Sequence, residues 1–526
     1  MDKEKTIPIV VGVTGHLAIR PEDRSALSAA VRKELKHIRE LCPHSGVVML
    51  TSLAAGGDLL CADAAEELGI PVAAALPRPR EDYALDFDEV DRARFEAHCD
   101  RAEQVFVTPP TEALPAGGVT RDYQFRQAGI YVAAHCHVLL ALWDGGPGTR
   151  AACGTAEAVD FALKGSYSPA SGVSVRSDSN EAVIHVFTPR GERTGKAGAV
   201  RVLGNLEAVQ DVLRKTDDFN RHAAGVEPDT ASRLPDPSEP DPILRRMELI
   251  GRIAGRKSAF YAGRYRLVLA LLAAASALLT FAFLLYDEIE AFWMILVCGL
   301  MLLAAWGCLR WAVRMDCHRR YIEYRALSEC LRVQTYLRYA GSRVQATDLL
   351  SWTQQEETAW IMDALCALNV GPAPAVTHDI RACWVEQQRE YHRRAGRRSH
   401  RDSAVSEQVV KTALTLSIAL YCAAVVFELL FAGTAPRAEL YRTVLKIATG
   451  SISAVTLFIA NYYGRLSLPR TLSDHGKMER FYGKMLAQLE QNGQTEELLT
   501  VLAREELIEN GNWCSYQRDN KPDISL

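Results

Sequence analysis

No two of the thirteen cysteines stand as a Cys-x-x-Cys pair. That spacing usually opens a zinc site or a redox dithiol, so its absence argues against both. Cysteines scattered singly suit a reducing compartment better than a disulfide framework. No Gly-x-x-x-x-Gly-Lys-Ser/Thr loop occurs, which excludes a P-loop NTPase, and Gly-x-Gly-x-x-Gly is missing as well. The net charge is only -4 over 526 residues, without the basic excess that nucleic acid demands. Met1-Asp2-Lys3-Glu4-Lys5-Thr6 lacks the basic start and apolar core of a secretory signal. Long uncharged apolar runs are absent from roughly the first 240 residues and recur after them.

What the first half does contain is organised around Thr51-Ser52-Leu53-Ala54-Ala55-Gly56-Gly57-Asp58. The apolar run 47–50 leads in and reads as a buried parallel strand. The amphipathic stretch 59–68 leads out and reads as a helix closed by Gly69. A loop between a strand end and a helix start offers free N–H groups and the positive end of the helix dipole to an anion. Gly56 and Gly57 lack a Cβ, so a phosphate can approach the backbone. Asp58 caps the helix or accepts a hydrogen bond from a sugar hydroxyl. A tight strand–helix turn without any ligand explains the same residues, since glycine pairs are common in turns.

Further strands are expected at 9–13, 71–76, 105–107, 137–143 and 182–187, the last of the series. Helices are expected at 21–41, 95–103, 121–134 and up to 164. The acidic, Pro-containing stretch 78–90 reads as a loop or flap, and 165–180 as a polar insertion. Strands alternating with helices predict an α/β, Rossmann-like parallel sheet covered on both faces, over 1–223. Three glycine-bearing loops then fall at strand C-termini: Thr14-Gly15-His16, Ser52 to Asp58, and the stretch from Asp144-Gly145-Gly146 to Cys153-Gly154-Thr155-Ala156-Glu157. Ligands bind at that edge of open α/β sheets. His16 is placed either to contact a phosphate or to be a plain surface residue.

Taken in order, Gly12-Val13-Thr14-Gly15-His16, the Ser52–Asp58 loop, and Leu142-Trp143-Asp144-Gly145 followed by Gly154-Thr155 resemble the SLOG superfamily. This Rossmann-like group includes the DprA proteins and the LOG cytokinin-activating phosphoribohydrolases. The resemblance covers about residues 5–220 and implies a nucleotide-binding sheet. Its ligand contacts would come from Gly12, Thr14, Gly15, His16, Ser52, Leu53, Ala54, Gly56, Gly57, Asp58, Asp144, Gly145, Gly154, Thr155 and Glu157. Some SLOG domains, as in the Thoeris defence effectors, sense cyclic ADP-ribose-type signals. LOG hydrolases carry Pro-Gly-Gly-x-Gly-Thr-x-x-Glu with a catalytic Glu. Here Ala158 stands three residues after Thr155, and Ala152 three after Thr149. Glu157 is one place off, about 100° around a helix. Binding is therefore expected rather than catalysis, with no cofactor and an ADP-ribose-type or cyclic nucleotide as ligand. The alternative is a nucleoside phosphoribohydrolase using Glu157 as acid or base.

The Pro-rich, acidic stretch 224–245 reads as a linker. Beyond it lie four apolar runs, 267–286, 291–313, 412–433 and 444–463, each long enough to cross a hydrocarbon core. The alternative is a buried helical bundle. Arginines crowd the outer flanks, and the short connection Asp287-Glu288-Ile289-Glu290 is acidic. The positive-inside rule then puts both termini and the central segment in the cytoplasm, as in a bacterial inner-membrane protein. The basic flank at 389–401 reads most simply as a contact with lipid headgroups, the alternative being a binding partner. Two spans with a helical extension at 246–345, connecting helices at 346–410 and a second such unit at 411–495 are similar to SLATT membrane domains in arrangement, and a cytoplasmic tail is expected at 496–526. In the last span Thr449, Ser453 and Thr456 share a face that is either a pore lining or plain packing, beside a small pair, Gly450 and Ala454. Glu428, near the end of the third span, is the one intramembrane acid to consider. The whole predicts an antiphage effector. A nucleotide second messenger binds the sheet, and the chain assembles as a homo-oligomer that opens a pore in the lipid bilayer, with no role for nucleic acid.

Overall fold

A computed structural model describes residues 3–110, 118–147, 154–164, 182–191, 193, 195–227, 232, 234–235, 241–289, 292–431, 438–466 and 468–519. The chain divides into two compact units. The first gathers Met1–Lys257, Arg325–Ile380 and Gln494–Asn512; the second gathers Ser258–Tyr324, Arg381–Gly493 and Trp513–Leu526. The units therefore do not follow the linear boundaries expected from hydropathy. The polar segments beyond the first pair of apolar helices pack with the sheet.

In the first unit, β1 (Ile9–Gly15) leads through a short 3-10 turn to α1 (Arg24–Leu41), then β2 (Val47–Thr51) and α2 (Gly57–Glu67). β3 (Val72–Leu76), α3 (Arg80–Ala84), α4 (Glu89–Arg101), β4 (Gln104–Val107), α5 (Arg121–His135), β5 (Val138–Trp143), α6 (Thr155–Lys164) and β6 (Ala182–Phe187) follow. The seven-stranded sheet has the order β4-β3-β2-β1-β5-β6, with one further strand beside β6. The first six strands pair in parallel, as expected of a Rossmann-like domain. The chain steps outward from β1 to β4, then returns to place β5 on the other side of β1. That reversal is the topological switch point.

Strand alternation sorts the core into two layers. Ile9, Val11 and Val13 face Leu27, Val31, Leu35 and Ile38 of α1, while Val10 belongs to the opposite layer with Tyr131 and Val132 of α5. Truncating a fully buried leucine such as Leu35 to Ala costs about 2–5 kcal/mol. Gly12 lies mid-strand. A Cβ there would sit 2.7 Å from Cys136 Sγ, so its role is to let α5 lie close to the sheet.

The sequence reading needs three corrections. First, β6 is not the last strand. β7 (Val200–Gly204) returns antiparallel beside it and leads into α7 (Leu206–Ala223). β7 is an exposed edge with Arg201 among its valines, which blurs the burial signal. Second, 78–90 is no flap. Tyr83 and Phe87 are buried against Phe95, with ring centroids 4.8–5.4 Å apart, because the acidic residues of this stretch cover an aromatic underside. Third, the linker stops at residue 241. Asp241 Oδ1 caps the next helix by accepting from Ile243 N and Leu244 N, and Pro242 suits its first turn.

That helix, α8 (Pro242–Ile289), is continuous through 48 residues. α9 (Phe292–Met315), α10 (Cys317–Tyr339), α11 (Ala346–Leu349), α12 (Trp352–Glu357) and α13 (Ala359–Leu368) come next. Ala367 and Val370 join the core layer under α5, and the Tyr131 hydroxyl both accepts from Gly371 N and donates to Gly371 O. A π-helical turn, Arg381–Glu386, opens α14 (Gln387–Phe431). α15 (Ala438–Leu466), α16 (Leu468–Asn492) and α17 (Glu496–Asp519) complete the chain.

Among the described residues four segments are long and apolar enough to cross a membrane: Pro242–Phe283, Phe292–Tyr339, Arg381–Phe427 and Tyr441–Ile459. Only 6 to 22 % of each apolar window is buried in the chain, whereas a soluble bundle would hide most of it. Trp293, Leu300, Leu303, Leu414 and Ile418 all stand exposed, which is the surface a hydrocarbon solvent covers.

Candidate functional site

The C-terminal edge of the sheet brings together the first two glycine loops and the start of the third. On the β1–β2 side the loops interlock. Gly57 N donates to His16 O at 2.9 Å, and His16 N donates to Leu142 O at 3.1 Å. A Cβ on Gly57 would lie 2.7 Å from Gly15 Cα, and one on Gly56 would lie 2.2 Å from Leu17 O. Gly56 also has φ +78°, and Leu53 is held at φ 53°. These glycines thus admit neighbouring backbone, not a phosphate.

Asp58 is buried and does not reach out to a sugar. Its Oδ2 accepts from Thr51 Oγ1 at 2.9 Å, and the backbone amides of Gly15, Ser52 and Ala54 also favour its charged form. Burial outweighs them and pushes the carboxyl up to about 7. It does not cap α2 either, since Gly56 holds the cap position without a side-chain bond. The chain's own carboxyl fills the place expected for a bound anion. Thr14, Ser52 and Ala54 remain half-buried at the rim.

The β5–β6 side differs. His16 is buried rather than on the surface, and its Nε2 accepts from Asp144 N at 3.1 Å, with Asp144 Oδ1 3.3 Å away. Burial lowers the His16 pKa, with Asp144 opposing and Arg190 assisting, so the ring is neutral and accepts at Nε2. Asp144 Oδ1 also takes Gly146 N at 2.9 Å, and that bond together with His16 and Arg193 holds its carboxyl below the usual range against a desolvation penalty. His185 on β6 accepts from Arg201 Nε at 2.8 Å and lies 2.8 Å from Trp143 O. Burial lowers its pKa too. Gly145 has φ +76°, and among the described residues Arg201 and His185 lie nearest its missing side chain, at 3.5 and 3.8 Å.

Arg190 and Arg193 flank this point in a tight turn just after β6, and Arg20 Nη2 donates to Gly191 O at 2.9 Å. Among the described residues no carboxylate pairs with Arg20, Arg190 or Arg201, and Arg193 reaches Asp144 only at 4.0 Å. The arginines and His185 escaped the sequence reading. The signal was there in Pro189-Arg190-Gly191-Glu192-Arg193, a turn placed where a strand-end loop belongs.

Gly154, Thr155 and Glu157 start α6, with Thr155 buried. Glu157 Oε1 is ion-paired with Arg126 Nη1 of α5, and that guanidinium also lies over Phe161 at 4.7 Å. Its carboxylate is thus held beside a cation, which favours its charged form. Residues 148–153 of the third loop, including Cys153, and the insertion 165–181 lie outside the described residues.

In α15 the Thr449 and Thr456 hydroxyls donate to Leu445 O and Ile452 O of their own helix, at 2.9 and 2.8 Å. Thr449 and Ser453 face outward while Ala454 is buried, so the small pair with Gly450 forms the packed side. The Glu428 side chain lies outside the described side chains. A scan of protein-family models and a search of curated proteins gave no match to this chain.

Proposed function

We propose that the protein is a membrane-anchored nucleotide receptor whose Rossmann-like unit carries a SLOG-like site. One observation carries the reading: Arg20, Arg190, Arg193 and Arg201 gather on the β5–β6 side of the sheet edge beside Asp144-Gly145-Gly146, with Asp144 the one carboxylate described among them. Guanidinium groups match phosphate oxygens in two-pronged fashion, and Asp144 suits a ribose hydroxyl. The ligand class is an ADP-ribose-type or cyclic nucleotide. The four apolar segments anchor the receptor in a bacterial inner membrane, with termini cytoplasmic by the positive-inside rule. Ligand binding drives homo-oligomer assembly of SLATT-like spans and membrane permeabilisation, as in an antiphage effector. Such coupling requires the assembled state to bind ligand more tightly. Ala158 in place of a Glu three residues after Thr155 favours a receptor over a phosphoribohydrolase.

The test is calorimetry of full-length protein in detergent with ADP-ribose, its cyclic form and cyclic dinucleotides, run beside dye release from proteoliposomes. Arg190→Gln combined with Arg193→Gln should weaken binding by at least about 100-fold, since charged hydrogen bonds are worth roughly 1.5–3 kcal/mol each and two are lost. Leakage should fall in parallel. Equal affinity in the double variant rejects the site, and steady release of free base would put the hydrolase first.

A further inference from the structure

Outside the sheet edge, positive charge is densest on α14, where Arg389, Arg393, Arg394, Arg397, Arg398 and Arg401 precede the apolar span. Lipid headgroups are the counter-anions expected from sequence, and length argues against them. His400 stands twelve residues before Thr412, where the uncharged run starts, which is about 18 Å along a helix. Headgroups extend only about 5–8 Å beyond each side of the hydrocarbon core. A tilt of about 40° still leaves the groups some 14 Å out.

Glu390 pairs with both Arg393 and Arg394, and Glu407 pairs with Lys411. Among the described residues no carboxylate pairs with Arg397, Arg398 or Arg401. Arg393, Arg397 and Arg401 recur four residues apart on one helix face, where like charges repel.

A groove of about 440 Å³ runs along this face between α14 and α16, entirely within the second unit. Arg393, Arg397 and His400 line it from α14, and Glu479 is the lone acid on the α16 rim. His392 lies buried in its floor, with Nδ1 3.0 Å from His475 Nδ1. Two mid-helix glycines, Gly396 and Gly476, open it. Packing does not require them: a Cβ on Gly396 would make an ordinary 3.6 Å contact with His475 Cβ, and one on Gly476 would come no closer than 3.8 Å to Arg480. Glycine is disfavoured inside helices, so what these two supply is the open space.

We propose that this groove binds a small soluble anion of the phosphate class. The volume is in the range of small-molecule sites, and guanidinium forks with a flanking imidazole are phosphate-binding chemistry. The site is separate from the sheet edge, and its anion would pair with Arg397, which makes no salt bridge among the described residues, beside Arg393.

The test uses full-length protein in nanodiscs, with pyrophosphate as probe. An Arg190→Gln/Arg193→Gln background removes the contribution of the sheet edge. Calorimetry should show one saturable site, weakened at least tenfold by Arg397→Gln and also by Gly396→Ala. The melting temperature of Gly396→Ala should not fall, because alanine fits and favours the helix. Unchanged affinity in both variants overturns the proposal, leaving non-specific ion binding. Nanodiscs of phosphatidylcholine alone and with phosphatidylglycerol should give the same affinity. Competition by phosphatidylglycerol that disappears in Arg397→Gln would overturn a soluble ligand and assign the groove to a lipid phosphate.

Discussion

Two glycine loops at one sheet edge serve opposite ends. At Gly56-Gly57 the missing side chains let one backbone lie against another, with the Asp58 carboxyl tucked inside. At Gly145-Gly146 the neighbours are side chains instead: Arg201 stays 3.5 Å from the missing Cβ of Gly145, and the Arg193 guanidinium lies against Gly146, where a Cβ would be 2.9 Å away. In sequence both look like phosphate loops. The difference lies in what fills the helix-start position. An internal carboxyl collects Thr51 Oγ1 and favourable amides at the first loop, whereas at the second Arg190 and Arg201 have no carboxylate partner among the described residues and call for an anion. A glycine pair therefore marks a close approach, and the neighbouring charges decide of what.

The largest effect should come from Gly57→Val. With backbone 2.7 Å away, nothing flexible can yield, and overpacking against main chain costs roughly 3 kcal/mol or more. The variant should lose its cooperative thermal transition and resist no protease. A well-folded Gly57→Val with impaired binding would erase the contrast and return this loop to the ligand.

A smaller effect concerns pH. The Asp58 carboxyl titrates near 7 when folded, above about 3.9 when unfolded. Between those values the folded state holds the extra proton, so stability falls as pH rises from about 4 to about 7 and levels off above. Asp58→Asn loses an acceptor but cannot titrate. Its denaturation midpoint should be lower overall, with that part of the pH slope gone. A slope unchanged from wild type would show that Asp58 is ionised throughout.

The smallest should be Gly145→Ala. Its left-handed φ of +76° costs a side chain about 1–2 kcal/mol, but no atom of the described residues lies nearer than 3.5 Å. The protein should stay folded with a melting temperature only a few degrees lower. Global unfolding would mean that this loop, too, is a packing device.

The parallel sheet and the four apolar helices were legible because both rest on hydrophobic pattern. Ile9 to Val13 and 47–50 are near-continuous apolar runs, and the spans are longer still. β7 was not legible, since an exposed edge strand buries little and shows no clean alternation. The site was half legible. Strand-end glycines are local features, but whether Gly57 faces a ligand or Gly15 depends on a partner 42 positions away. Arg190, Arg193 and Arg201 gain meaning only when β6 and β7 bring them beside Asp144.

The hydrogen bonds between Tyr131 and Gly371, 240 positions apart, set an order of events during synthesis. At about 5–20 residues per second the ribosome delivers Ala367 to Gly371 some 12–50 s after Tyr131. In that interval α8 and α9, with the first two apolar segments, emerge and seek their solvent. The part of the core layer that Ala367 and Val370 complete stays open meanwhile, so the first two apolar helices leave the ribosome before that side of the sheet is finished.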